Sequence, residues 1–510
     1  MNIASILSQQ RGDAPAIIER AGTTTFAQLD DRVRRAATML RKCGVGPGDS
    51  VLIFQPMSAH LYTALLAVFR VGAVAMFLDP SAGRAHIEAC CELSPPRALI
   101  ALDRAHLLRL TSRALRRVPV KFSIGVWVPG AVRWSALESH APCDDIAPVA
   151  DKTPALLTFT SGSTGRPKAA VRTHGFLIEQ HRVLARSIAL EPGEVDLATL
   201  PIFTLANLAS GVTSVIPDAD LRRPGFIKAA PVLRQIREHC VTRCAASPAF
   251  FERLLAADDG SLRGMKKVFT GGAPVFPNLL TALRTAMPEA RVEAVFGSTE
   301  AEPIAHIEER EITAADRDAM RAGRGLLTGE PVPEIRLRIL RAEWGTPIAP
   351  LLAAEFDARC VPVGQHGEIV VAGGHVLPGY LHGHGDAETK FRVDGTVWHR
   401  TGDAGWLDDR GRLWLLGRCS AKVTDTRGTL WPFAVECAAR QNPHIRRAAL
   451  IGHDGKRILF IEQSSPGEPP ALEWAQLDEV RAVASIPMDK RHNAKVDYPA
   501  LEALLRRANL

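Results

Sequence analysis

The chemistry of this sequence is concentrated in a few short runs, the densest being Leu157-Thr-Phe-Thr-Ser-Gly-Ser-Thr-Gly-Arg-Pro-Lys168. An apolar strand leads into a turn carrying Thr158, Thr160, Ser161, Ser163 and Thr164, with Gly162 and Gly165, and then Lys168. Small hydroxyl residues and glycine let backbone N–H and side-chain O–H groups converge on phosphate oxygens, and a lysine adds a point charge. This is not a Walker A loop, because Lys168 is followed by Ala169 rather than Ser or Thr. On spacing alone, a Ser/Thr/Gly loop is more often a plain flexible turn than a phosphate cradle. A second run, Val268-Phe-Thr-Gly-Gly-Ala-Pro274, ends an apolar strand in two glycines, which permits a flat ring to approach the main chain.

The first run resembles the phosphate-binding loop of the adenylate-forming (acyl-CoA synthetase, AMP-binding) superfamily, and further motifs of that superfamily follow in order. Gly271, Gly272 and Ala273 match the segment whose backbone lies against adenine. Val295-Phe-Gly-Ser-Thr-Glu300 is similar to the aromatic-Gly-x-Thr-Glu motif. The resemblance implies stacking of Phe296 on adenine, with Gly297 and Ser298 beside it, a Thr299 contact to the α-phosphate and Glu300 as a Mg²⁺ ligand. Phe296 stands where Tyr is commoner, keeping the ring face and losing a hydroxyl. His399-Arg-Thr-Gly-Asp403 and Leu415-Leu-Gly-Arg418 match the paired Thr-Gly-Asp and Gly-Arg motifs. A carboxylate suits a diol, so Asp403 would hold the ribose hydroxyls, and Arg418 would reach ribose or phosphate. By position, Lys495 of Ile486-Pro-Met-Asp-Lys-Arg-His-Asn-Ala-Lys495 matches the superfamily's catalytic lysine, carried on a small mobile domain. Taken one by one these residues also fit bland roles: a turn cap for Asp403, a surface ion pair for Arg418, a solvated carboxylate for Glu300.

Departures from the common pattern are informative. The ending is Arg491-His-Asn-Ala-Lys495 rather than Ser-Gly-Lys, position 420 is Ser, and Leu200-Pro-Ile-Phe-Thr-Leu-Ala-Asn207 lacks the usual His. The segment Trp431-Pro-Phe-Ala-Val-Glu-Cys437 replaces the common Pro-x-Glu-(Ile/Val)-Glu helix start. With Val215-Ile-Pro-Asp218 and Asn442-Pro-His-Ile-Arg-Arg-Ala-Ala-Leu450, these features resemble the β-lactone synthetases of bacterial olefin and β-lactone biosynthesis. The resemblance implies that ATP and Mg²⁺ serve as cofactors and that a small-molecule acyl substrate, a long-chain β-hydroxy acid, is adenylated. The acyl adenylate then closes to a β-lactone through its own hydroxyl. His492 and His174 are conceivable bases for that hydroxyl, though an ordinary structural histidine fits each better. By analogy with that pathway, thiolase-like, reductase-like and hydrolase-like enzymes would be partners. The alternatives are a fatty acyl-CoA or acyl-carrier-protein ligase and, outside enzymes, a nucleotide-binding pseudoenzyme.

The elements that must position these residues read as α/β. Phe26–Lys42, with Leu29, Val33, Ala36, Ala37 and Leu40 at helical spacing, precedes the apolar strand Ser50–Phe54, and the same grammar recurs to residue 150. Helices over Phe176–Ala189 and Pro231–His239 and a strand at Lys266–Phe269 continue it. Alternating strands and helices imply parallel sheets covered by helices. From about Val361 the texture changes to short strands with Gly-rich turns. Beyond Gly417 a small α+β unit follows, with a helix near Phe433–Gln441 and strands near Ala448–Ile451 and Arg457–Ile461. The expected division is 1–417, an AMP-binding body, and 418–510, a small mobile domain. The acyl pocket is expected from parts of Phe203–Gly211 and the strand end Phe269–Ala273.

Composition bounds the rest. The chain has 510 residues, 46% hydrophobic and 23% charged, so a disordered or fibrous chain is excluded. Its +7 net charge comes from 62 basic against 55 acidic residues that are intermingled, which gives no nucleic-acid stripe. Arg113, Arg116, Arg117 and Lys121 read as a solvated helix face. Nine cysteines, an odd number with no CxxC pair, read as reduced thiols of a cytoplasmic protein. The apolar run Leu61–Leu78 is interrupted by Arg70 and is too short for a transmembrane segment, which needs about 20 residues. The start, MNIASILSQQRGD, lacks the pattern of a signal peptide.

Overall fold

The computed structural model describes all residues except 10–11, 80–81, 162–166, 342, 489–494 and 509–510. The chain forms two compact units, Met1–Asp218 with Leu377–Ala387, and Ala219–Val376 with Glu388–Leu510.

In the first unit the helix Phe26–Lys42 starts where Thr25 accepts the Gln28 N–H and Gln28 answers with a bond to the Thr25 N–H. Its stripe Leu29, Val33, Ala36, Ala37 and Leu40 is wholly buried, which realises the spacing seen in the sequence. Helices Ala59–Arg70, Arg84–Leu93 and His174–Ser187 and strands Ser50–Phe54, Val74–Phe77 and Ala98–Leu102 follow the alternating pattern. Seven strands form one sheet in which Pro154–Ser161 runs parallel to Val74–Phe77 and antiparallel to Pro167–Thr173. A separate parallel set, Val195–Ala198, Thr213–Val215 and Pro15–Glu19, adds the antiparallel Gly22–Thr25. Arg113, Arg116 and Arg117 lie exposed on the short helix Arg113–Arg117, whereas Lys121 belongs to the next strand and is half-buried.

In the second unit the parallel strands Arg243–Ala246, Lys267–Gly271 and Arg291–Ser298 turn antiparallel at Ala301–Glu308. Leu326–Pro331, Leu413–Arg418, Thr396–Leu407, Gly367–Ala372 and Arg336–Leu340 extend the sheet. Past Arg418 the chain builds two apolar clusters of its own. One is centred on Val435, Leu450 and Leu459, the other on Ile451, Phe460, Leu501 and Leu505. Their elements are the helices Pro432–Ala439 and Tyr498–Ala508 and the strands Ile445–His453, Lys456–Gln463 and Glu479–Ala482. The mixed α/β architecture agrees with the sequence reading. All nine cysteines are free, and no helix among the described residues is long and apolar enough to cross a membrane.

A buried ion pair braces the sheet behind Asp403. Arg400, 1% exposed, places Nη2 2.6 Å from Glu368 Oε2 and donates to the carbonyls of Thr346 and Glu343. Burial pushes the Glu368 carboxyl up, and the Arg400 guanidinium opposes that shift. Removing one partner of such a pair leaves a charge stranded without water. Arg400→Met is expected to cost about 3–5 kcal/mol of stability. Thermal unfolding should show a large drop that Glu368→Gln/Arg400→Met partly restores; equal single and double losses would contradict the pairing.

Candidate functional site

Each of the two glycines ending Lys267–Gly271 has its own physical reason. A Cβ on Gly271 would lie 2.6 Å from the Val295 carbonyl, its register partner in the next strand. Gly272 turns out of the strand at φ +77, in the left-handed region, with open space where a Cβ would point. Backbone is thereby bared beside Phe296, which sits half-buried on Arg291–Ser298. The turn Thr299–Glu300 joins that strand to Ala301–Glu308. The Ser298 hydroxyl accepts the N–H groups of Glu300 (3.3 Å) and Ala301 (3.2 Å), so its oxygen shapes the turn. Thr299 is exposed and Glu300 half-buried.

Asp403 and Arg418 are direct register partners on Thr396–Leu407 and Leu413–Arg418. Arg418 Nη1 is 3.1 Å from Asp403 Oδ1 and also donates to the Thr401 carbonyl at 3.1 Å. Attraction to Asp403 raises the Arg418 pKa above its ordinary value. Behind them His399 is buried, donates from Nδ1 to the Thr389 carbonyl, and is pushed down to about 3 by desolvation, so it stays neutral.

These pieces converge. One cavity of about 490 Å³ is lined by Gly272, Ala273, Phe296, Gly297, Ser298, Asp403 and Arg418, together with Lys495. Its size falls in the range of small-molecule sites, about 300–1,000 Å³. Lys495 is exposed and immediately precedes Val496, which forms a bridge with Met488. Gly271, Thr299 and Glu300 lie next to lining residues in sequence but do not line the cavity themselves. Among the described residues no cluster of three or more His, Cys, Asp or Glu could hold a metal. Glu300 acts electrostatically on Arg418 and His399 from beside the site. One carboxylate suits Mg²⁺, which keeps several waters and binds chiefly through substrate phosphates.

Within the first unit, Thr160 stands opposite Lys168 and Ser161 opposite Pro167 across the hairpin Pro154–Ser161/Pro167–Thr173. Gly162, Ser163, Thr164 and Gly165 form the connection and lie outside the described residues, as do Arg491, His492 and Asn493. The Lys168 ammonium is 5.9 Å from the Tyr380 ring centroid. Its side chain also packs on Gly385, where a Cβ would come within 2.7 Å of Nζ. Phe203–Gly211 forms the helix Pro201–Ser210 and the glycine that ends it, and the helix is largely buried in its own unit. His174 is fully buried, accepts the Ile3 N–H at 3.2 Å, and is pushed down to about 4 by burial, which makes it a neutral structural histidine.

Sequence reasoning missed Glu436, Tyr498, Arg440 and Arg447, which line the same cavity. Glu436 is 2% exposed, and its Oε1 accepts from the Leu450 N–H (3.0 Å) and the Tyr498 hydroxyl (2.8 Å). A signal was present: Glu436 is the one charged residue in the helix Pro432-Phe-Ala-Val-Glu-Cys-Ala-Ala439. The Tyr380–Gly385 cradle had no local signal, because Lys168 is far away in sequence.

A family model described as AMP-binding enzyme matches residues 6–381. The chain belongs to the AMP-binding enzyme family. Among curated members it is similar to an olefin beta-lactone synthetase of Stenotrophomonas maltophilia, 33% identical over 93% of this chain and 90% of that protein. An olefin beta-lactone synthetase of Xanthomonas campestris is 32% identical over 93% and 89%. Among solved structures, amide bond synthetase McbA from Marinactinospora thermotolerans aligns at a TM-score of 0.80 and 21% identity, covering 98% of this chain and 99% of that one. The anthranilate CoA ligase AuaEII in complex with anthranoyl-AMP aligns at 0.83 and 18%, covering 100% and 98%. These two likenesses establish the adenylate-forming fold.

The buried Glu436 has a measurable consequence in this AMP-binding enzyme. Burial pushes its carboxyl up to about 7, against hydrogen bonds from Leu450 and Tyr498 that pull it down. A carboxyl raised above its unfolded value stabilises the fold fully below that unfolded value, and the contribution is lost as pH rises through about 7. Glu436→Gln should therefore gain stability on wild type between roughly pH 5 and 8, by an amount on the order of 3 kcal/mol. Unfolding midpoints of both proteins across that range test this; a pH-independent difference would contradict it.

Proposed function

We propose that this chain is an ATP-dependent, AMP-forming ligase that converts a long-chain β-hydroxy acid to a β-lactone through an acyl adenylate. The observation that carries this reading is similarity over 93% of the chain to two proteins named olefin beta-lactone synthetase. The cavity supports it, with ring, diol and phosphate partners in one lining.

In the first step a substrate carboxylate oxygen attacks the α-phosphorus of ATP and pyrophosphate leaves. Phe296 offers a stacking face and Gly272 bare backbone for the adenine, while Asp403 accepts from the ribose hydroxyls. Thr299 would contact the α-phosphate. Thr160–Gly165 and Lys168 would hold the leaving phosphates, and Lys495 the charge that develops on the reacting carboxylate and α-phosphate. Glu300 would hold Mg²⁺, which supplies charge neutralisation on the phosphate oxygens when bound. In the second step the substrate's own β-hydroxyl attacks the acyl carbon, the bond to AMP breaks, and the hydroxyl proton is lost. Confinement in a near-attack geometry makes that step unimolecular, so no external thiol is required. Residues 418–510, which bear Lys495, act as the small mobile domain, with 1–417 as the AMP-binding body.

The deciding assay incubates the protein with ATP, Mg²⁺ and a long-chain β-hydroxy acid, with and without CoA, and identifies products by mass spectrometry. Lactone, AMP and pyrophosphate formed without CoA are expected. A thioester formed only with CoA would assign the chain to the acyl-CoA ligases instead, and no pyrophosphate with any acid would indicate a pseudoenzyme. Because Lys168 packs on Gly385, Gly385→Ala is expected to raise the KM for ATP about tenfold. Gly395→Ala, also at positive φ but with no atom near its Cβ, should leave it unchanged; equal effects would contradict the placement of Lys168.

A further inference from the structure

Lys495 carries its charge on a flexible four-carbon stem, and it is exposed. A group that must meet developing charge needs its backbone fixed to within about 0.5 Å. What fixes it lies just downstream. Val496 bridges to Met488, and the Asp497 N–H donates to the Pro487 carbonyl at 2.9 Å. Tyr498, three residues beyond the lysine, donates its hydroxyl to Glu436 Oε1 at 2.8 Å, and the same oxygen takes the Leu450 N–H at 3.0 Å. Glu436 sits on the apolar helix Pro432–Ala439, whose Val435 and Ala439 are core residues. The tie thus joins the lysine-bearing segment to a helix packed in the apolar core of the C-terminal portion.

A carboxyl in that helix is expensive, since burying it costs several kcal/mol unless it is well bonded. A Leu or Met would fill the same space without that cost. The Tyr498 ring packs partly buried against the cluster that holds Leu501 and Leu505, a contact a Phe would keep, so what the hydroxyl adds is the bond to Glu436. Glu436, Tyr498 and Lys495 line the same cavity. We propose that the Glu436–Tyr498 hydrogen bond is the positioning contact for Lys495, acting on catalysis through the lysine and not by touching substrate. This rests on the reading of Lys495 given under Proposed function.

The test is a double-mutant cycle on the full chain, read by carboxylate-dependent ATP–pyrophosphate exchange. Tyr498→Phe should lower kcat about tenfold while the KM for ATP stays within about twofold. Glu436→Gln keeps an acceptor for both donors and should retain most activity, whereas Glu436→Ala should match Tyr498→Phe. Lys495→Ala should lower kcat about 100- to 1,000-fold, and adding Tyr498→Phe to it should change nothing further. An equal loss from Tyr498→Phe in both backgrounds, or none in the wild type, overturns the proposal while leaving the role of Lys495 intact. Full activity in Lys495→Ala overturns both. Hydrogen exchange reads the contact without turnover: the amides of Val496, Asp497 and Tyr498 should exchange faster in Tyr498→Phe, and unchanged rates would overturn the tie even if no acid is turned over.

Discussion

Strand register places the Asp403 carboxylate against the Arg418 guanidinium, and the rest of the site depends on that pairing. The two are opposite each other on adjacent antiparallel strands, 3.1 Å apart, at the last residue before the chain leaves the sheet. A slip of one residue would turn every side chain to the other face. The buried Arg400–Glu368 pair and the neutral His399 hold the strand that carries Asp403. Arg418 is in turn the last strand residue before the C-terminal portion that carries Lys495, so a single ion pair ties the Asp403 strand to the start of that portion.

Net charge says little about how this protein handles a polyphosphate. The +7 excess is diffuse, and most exposed ion pairs contribute under about 1 kcal/mol each. What matters is placement: Arg418 shares the cavity with Lys495, and Lys168 is steadied within its own unit by Tyr380 and Gly385. Arg418 has Asp403 as a partner, and Lys168 has a packing surface that limits where it can go. Such preorganisation is what electrostatic stabilisation of a transition state requires.

Much of this was legible in the sequence, for local reasons. The stripe on Phe26–Lys42 and the strand Ser50–Phe54 follow from apolar spacing and a Thr25/Gln28 cap, and both stand where the spacing put them. Helix ends shifted by a few residues: Phe176–Ala189 became His174–Ser187, because Thr173 caps the Phe176 N–H. In the sequence Gly271 and Gly272 look like one device; the structure separates close strand approach from a left-handed turn. Glu436 was missed because a buried carboxyl reveals itself only when its partners, Leu450 and Tyr498, are known to be near. The cradle under Lys168 was missed for the same reason. Contacts between distant segments leave no period in the sequence.

In the proposed reaction ATP activates the carboxylate, not the hydroxyl, before the ring closes. Supplying a β-hydroxy acid with both carboxylate oxygens labelled as ¹⁸O tests it directly. Attack of the carboxylate on the α-phosphorus and release of AMP by the β-hydroxyl predicts AMP carrying one ¹⁸O and lactone carrying the other. Unlabelled AMP with lactone retaining both labels would contradict the account, because it would mean that the hydroxyl had been activated instead.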